Sequence, residues 1–147
     1  MISQTEEYAL RAILSMARRP LKMHTISSLA RDSGIPEGYL SKIMQTMRKG
    51  RLISSRRGKS GGFLLNHRPE DISLADVVGF FPSGRDRMNC PFLEQGKCSK
   101  EHDPDSLTAD TGTSYPCGLN RLLKDLYREF QGRLEDRKVS DLLMDKV

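Results

Sequence analysis

The chain has 147 residues, 24 basic and 19 acidic, for a net charge of +5, and it carries three cysteines. That length suits one domain with an appended segment, and no run approaches the roughly 18 consecutive apolar residues of a membrane span. Glu6 and Glu7 stand where a secretory leader would be basic and then apolar, and three thiols do not make a disulfide framework, so a cytoplasmic protein is expected.

The charge is unevenly placed. Residues 1–68 hold 13 basic and 4 acidic residues, net +9, while residues 69–147 hold 11 and 15, net −4; together these give the chain's +5. Six cations (Arg48, Lys49, Arg51, Arg56, Arg57, Lys59) fall between Arg48 and Lys59 with no acid among them. A basic half joined to an acidic half points to a polyanion-binding module fused to a part with another task.

Ser3 and Glu6 fit a capping box, and Ala9, Ala12, Ile13, Met16 and Ala17 then recur at three- and four-residue steps, predicting a first helix that Pro20 stops. Thr25 predicts the cap of a short second helix with Ile26, Leu29 and Ala30 inward, and Gly34 its end. Pro36 suits the first turn of a third helix, in which Leu40, Ile43, Met44 and Met47 form one stripe. Its other faces carry Tyr39, Ser41, Lys42, Gln45, Arg48 and Lys49, and Gly50 is expected to close it. Two short helices joined through a glycine turn, the second polar and basic outside, match a helix-turn-helix.

Next comes RLISSRRGKSGGFLL, residues 51–65, in which Gly58-Lys59-Ser60 looks like the end of a phosphate-binding P-loop. A P-loop needs glycine five places before that Gly-Lys-Ser, where this chain has Ile53, and a helix directly after it. Instead Leu52-Ile53 and Phe63-Leu64-Leu65 predict two short strands around a glycine-rich tip, with Pro69 soon after. A basic hairpin directly behind a recognition helix is a wing. There Arg56, Arg57 and Lys59 would reach phosphates or a minor groove, so the phosphates are those of DNA. Ser73 predicts the cap of a fourth helix containing Leu74, Val77, Val78 and Phe81.

Residues 82–117 are rich in Pro, Gly, Ser and acids without periodicity and predict an extended loop. Seven residues separate Cys90 from Cys98 within it, and eighteen separate Cys98 from Cys117. These spacings match neither paired zinc-ribbon CxxC units nor a ferredoxin run, so spacing alone leaves metal binding and three unrelated thiols both open. Cys117 precedes a predicted helix whose dipole would favour thiolate. That helix runs about 16 residues with the stripe Leu119, Leu122, Leu123, Leu126, Phe130 and Leu134. Pairing with the same helix of a second copy would bury the stripe; packing back on its own domain is the other solution. The predicted divisions are 1–81 for DNA binding, 82–117 for the cysteine segment and 118–147 for the dimer helix and tail.

Three blocks carry a family resemblance: EEYALRAILSMA, then ISSLARDSGIPEGYLSKIMQTMRKGRLISSRRGKSGGFLL and ISLADVV, and lastly the cysteine loop with CGLNRLLKDLYREF. The chain resembles the IscR/NsrR type of winged helix-turn-helix transcription regulator, in the Rrf-two superfamily. That resemblance implies a mainly α fold with a small β-hairpin and a long dimerisation helix. It also implies a homodimer that binds double-stranded DNA at a palindromic operator, with no enzymatic activity, no small-molecule substrate and no membrane.

Carried over, it makes Cys90, Cys98 and Cys117 ligands of an iron–sulfur cluster that senses iron, nitric oxide or redox state. Tyr39, Ser41, Lys42 and Gln45, with Arg48 beside them, would face the major groove, and Arg57 would act from the wing. The long stretch between the second and third cysteines departs from the family pattern. It leaves 2Fe–2S, 4Fe–4S, zinc with His102 as a ligand, or no metal and thiol sensing all open. For the fourth ligand position His102, Asp103 and Asn120 are local candidates. Glu7 matches the acid that some relatives extend from the first helix of the partner subunit. A thiol redox enzyme using Cys90 and Cys98 is the remote alternative, and it lacks CxxC.

Overall fold

A computed structural model describes residues 2–81, 93–94, 97–98 and 118–144. Each of the first, second and fourth helices starts at a reciprocal cap, as the sequence predicts. Helix α1 (Gln4–Ala17) begins where the Ser3 amide donates to Glu6 Oε2 at 2.6 Å and the Glu6 amide donates to Ser3 Oγ at 3.3 Å. Helix α2 (Ile26–Ser33) is capped by Thr25 with Ser28, and ends at Gly34, whose φ of 71° is the left-handed state that glycine adopts without strain. Helix α4 (Leu74–Val78) is capped by Ser73 with Asp76; Phe81 lies buried just beyond its end rather than inside it.

Helix α3 (Glu37–Lys49) buries Leu40, Ile43, Met44 and Met47, the expected stripe. Its end differs from expectation by one residue. Gly50 has φ −75°, and the left-handed residue is Arg51 at φ 61°. The Leu52 amide donates to Met47 O and the Arg51 amide to Arg48 O, which together make a Schellman motif centred on Arg51. Gly50 is glycine for another reason: a Cβ there would come within 2.0 Å of Phe80 Cε1.

Strands β1 (Ile53–Arg56) and β2 (Gly62–Leu65) pair antiparallel from Ile53↔Leu65 to Arg56↔Gly62, one register set for the whole hairpin. Segment 82–117 is not loop throughout, because β3 (Leu93–Glu94) and β4 (Lys97–Cys98) pair as a second short hairpin. Helix α5 (Gly118–Glu135) carries the predicted long stripe, and a further helix, α6 (Val139–Met144), occupies what reads in sequence as tail.

Helix α1 is the centre. Ala9, Ala12, Ile13 and Met16 are fully buried, and α1 packs against α2, α3, α4, α6 and β2. Leu134 and Val139, from the end of α5 and the start of α6, enter the same core. The α5–α6 junction is stitched to α4 by backbone bonds from Leu74 N to Arg137 O and from Val139 N to Ile72 O, both 2.9 Å. The core therefore spans both the basic and the acidic halves. Among the described residues no helix is long and apolar enough to cross a membrane.

Candidate nucleic-acid interface

With its apolar stripe turned inward, α3 presents a polar and basic face outward. Tyr39 in the first turn is 64% exposed, Lys42, Gln45, Arg48 and Lys49 are exposed, and Ser41 is half-buried. The Schellman turn at Arg51 then swings the chain directly into β1, so the wing starts where the recognition helix stops. Asn66 fixes this junction, donating from Nδ2 to Arg51 O at 2.8 Å.

The wing is held from behind as well. His24, from the α1–α2 connection, bridges Phe63 through backbone bonds of 2.9 and 2.7 Å, adding a single-residue third strand to the hairpin. This approach is close: a Cβ on Gly62 would stand 2.6 Å from His24 O, and Gly62 has φ 151°. Two independent constraints thus demand glycine there. Buried His24 also places its Nε2 3.1 Å from Arg19 O, so the connection itself is anchored. Beyond Gly62 the tip exposes Arg56, Arg57 and Lys59.

Charge pairing sharpens the picture. The ion pairs among the described residues are Arg11–Glu7, Arg31–Asp32, Arg68 with Glu70 and Asp71, Arg128–Asp125 and Arg133–Glu129. None involves Lys42, Arg48, Lys49, Arg51, Arg56, Arg57 or Lys59. The cations left without a carboxylate on α3 and the wing form one continuous surface, and an unneutralised basic surface attracts a polyanion. Arg51 belongs to this surface by position. Its signal in the sequence was membership of the six-cation run, and its backbone state was not legible there.

The candidate metal ligands are less connected. Cys98 lies on β4 opposite Leu93. Cys90, Cys117, His102 and Asp103 lie outside the described residues. Glu7, on an exposed part of α1, accepts from Arg11 Nη2 at 2.6 Å, and Asn120 lies in the first turn of α5. Among the described residues no three His, Cys, Asp or Glu side chains gather as a metal site.

Residues 2–145 match the family Rrf2, described as an iron-dependent transcriptional regulator. An rrf2-like HTH-type transcriptional regulator of Rhodobacter capsulatus is 38% identical over 82 residues, 53% of this chain and 55% of that protein, so this alignment spans about half of each. The HTH-type transcriptional regulator NsrR of Bacillus subtilis is 23% identical over 141 residues, 95% of this chain and 88% of that one. Among solved structures, T. potens IscR superposes with a TM-score of 0.73 at 20% identity, covering all of this chain and 88% of that one. CymR, the global cysteine regulator of B. subtilis, gives 0.66 at 19% identity, covering 97% and 95%. These similarities are to regulators and not to enzymes, so the thiol redox enzyme reading falls. With a helical core, a paired wing and a family match over nearly its whole length, the chain belongs to the Rrf2 family of winged-helix transcription regulators.

Proposed function

We propose that this regulator acts as a homodimer whose α3 enters the major groove of a palindromic operator while the wing grips the flanking backbone. The observation that carries the reading is the unpaired basic surface running from Lys42 to Lys59. On it Tyr39, Ser41, Lys42 and Gln45 face base edges, and Arg48, Arg56, Arg57 and Lys59 hold phosphates. The dimer is supported by Leu122 and Leu126, 55% and 52% exposed on α5, while Phe130 and Leu134 further along pack against the chain's own core. Residues 1–81, 82–117 and 118–147 then divide the labour into reading, sensing and pairing.

The sensing part of the proposal assigns an iron–sulfur cluster to Cys90, Cys98 and Cys117. The donor set suits it, because cysteine thiolates are the usual ligands of both common cluster types. When bound, such a group supplies a change of charge or integrity in response to iron, nitric oxide or redox state. Three thiolates leave one iron position, and Glu7 of the partner subunit fills it once its carboxylate leaves Arg11. His102 is the local alternative.

Two measurements test the two parts. Gln45→Ala should change which duplexes are preferred in selection from a random pool; an unchanged preference removes α3 from the groove. Protein purified without oxygen should be brown and hold iron and acid-labile sulfide in comparable amounts. Colourless protein with zinc, or with no metal, overturns the cluster. Glu7→Ala with wild-type cluster content and visible spectrum returns Glu7 to the role of a helix-end charge.

A further inference from the structure

Tyr39 is the one aromatic ring among the exposed large apolar side chains of the described residues, and it stands in the first turn of α3. The N-terminal turn of a recognition helix is the part that meets base edges. A phenol held only by its own backbone would sample several rotamers, and binding would have to order it at an entropic cost. Here it is not held only by its own backbone. Tyr8 of α1 meets it edge to face, with ring centroids 6.5 Å apart and planes at 71°, inside the range that aromatic pairs prefer.

Tyr8 is in turn fixed from two sides. Its half-buried ring packs against the core, and its hydroxyl accepts from Gln4 Nε2 at 2.9 Å, one turn earlier on α1. The sequence Gln4, Tyr8, Tyr39 therefore runs from the central helix to the tip of the reading face. Among the described residues the Tyr39 hydroxyl has no protein partner. It is free to donate to a base acceptor or to a phosphate oxygen.

We propose that Tyr8 is a positioning residue for operator recognition: it sets the direction in which Tyr39 leaves α3, so that α1 contributes to sequence discrimination without touching DNA. The inference rests on α3 being the reading helix.

The test measures a ratio. Duplexes are selected from a random pool with the wild-type protein, and affinity is compared between the best selected duplex and the unselected pool. Tyr39→Ala should lower this ratio. Tyr8→Leu should lower it about 3- to 10-fold, leaving pool affinity unchanged because the phosphate contacts remain. Tyr8→Phe keeps the ring and should stay within about twofold of wild type. The double variant should lose little beyond either single one, since both remove the same contact.

A wild-type ratio in Tyr8→Leu, independent multiplying losses in the double variant, or equal loss on pool and selected duplex would each overturn the proposal. Should Tyr8→Leu fail to fold, Tyr8→Met fills the same space without an aromatic edge and carries the same cycle. If Tyr39→Ala leaves the ratio unchanged while Gln45→Ala shifts it, Tyr8 positions nothing yet α3 still reads DNA. If neither matters, the placement of α3 fails as well.

Discussion

Arg51 holds φ 61°, the one positive φ among the described non-glycine residues. An L-residue in that region costs about 1–2 kcal/mol, and the usual occupant of this Schellman position is glycine. The side chain retained there is an exposed arginine between α3 and the wing, with no carboxylate partner among the described residues. Strain kept beside a binding surface suggests a contact that offsets it. Arg51→Gly should therefore raise unfolding free energy by about 1 kcal/mol in urea titration. It should also weaken duplex binding and reduce its salt slope by about 0.9, one phosphate's worth. A less stable variant, or one with the wild-type slope, would count against that role.

Gly38 poses the opposite case. It sits in the first turn of α3 without a positive φ, and a Cβ there would meet nothing within 4 Å. The fold has no need of glycine at this point, and glycine in a helix costs roughly 0.5–1 kcal/mol against alanine. Clearance for an approaching sugar-phosphate chain explains it. Gly38→Ala is expected to gain up to about 0.5–1 kcal/mol of stability while losing operator affinity; unimpaired binding would show the space to be idle.

At the scale of elements, the sequence was most readable where local chemistry decides. Capping boxes and three- and four-residue apolar steps located α1, α2, α3 and α4, because those signals act within one turn. The wing followed from position, since a basic glycine-rich tip between two apolar dipeptides has few other homes. What stayed hidden depends on partners distant in sequence. The His24↔Phe63 bridge joins residues from opposite ends of the reading module, and nothing local to either announces it. Helix α6 is too short for a periodic stripe, and exists because Val139 completes a core built by α1 and α4. Helix α5 was legible as a helix, but its stripe divides: Leu134 is buried in its own chain, whereas Leu122 and Leu126 are exposed. Leu126→Asp separates pairing from folding. Placing a charge in an apolar seam should abolish the dimer, while a site half exposed in the single chain should cost the monomer no more than about 0.5 kcal/mol. Light scattering that still reports a dimer would move the interface elsewhere.

For the whole molecule, the division of charge visible in the sequence does not mark a division of the core. The basic half supplies the reading surface, yet its central helix α1 is also packed by α6 from the acidic half, and α4 is stitched to the α5–α6 junction. A change on α5 therefore has a direct mechanical route through α4 and α1 to α3, which is how a pairing and sensing half would bear on a reading half. The cysteine chemistry, by contrast, was legible only through family resemblance, because spacings of seven and eighteen fix no geometry by themselves. The central claim is that α3 and the wing hold DNA through cations left without protein partners. It is tested most directly by the salt dependence of duplex affinity in the triple variant Arg56→Ala, Arg57→Ala, Lys59→Ala, with Arg128→Ala, already paired to Asp125, as control. The triple variant should lose affinity and about 3 from the slope of log affinity against log salt, near 0.9 for each phosphate released, while the control matches wild type; a triple variant with wild-type affinity and slope would contradict it.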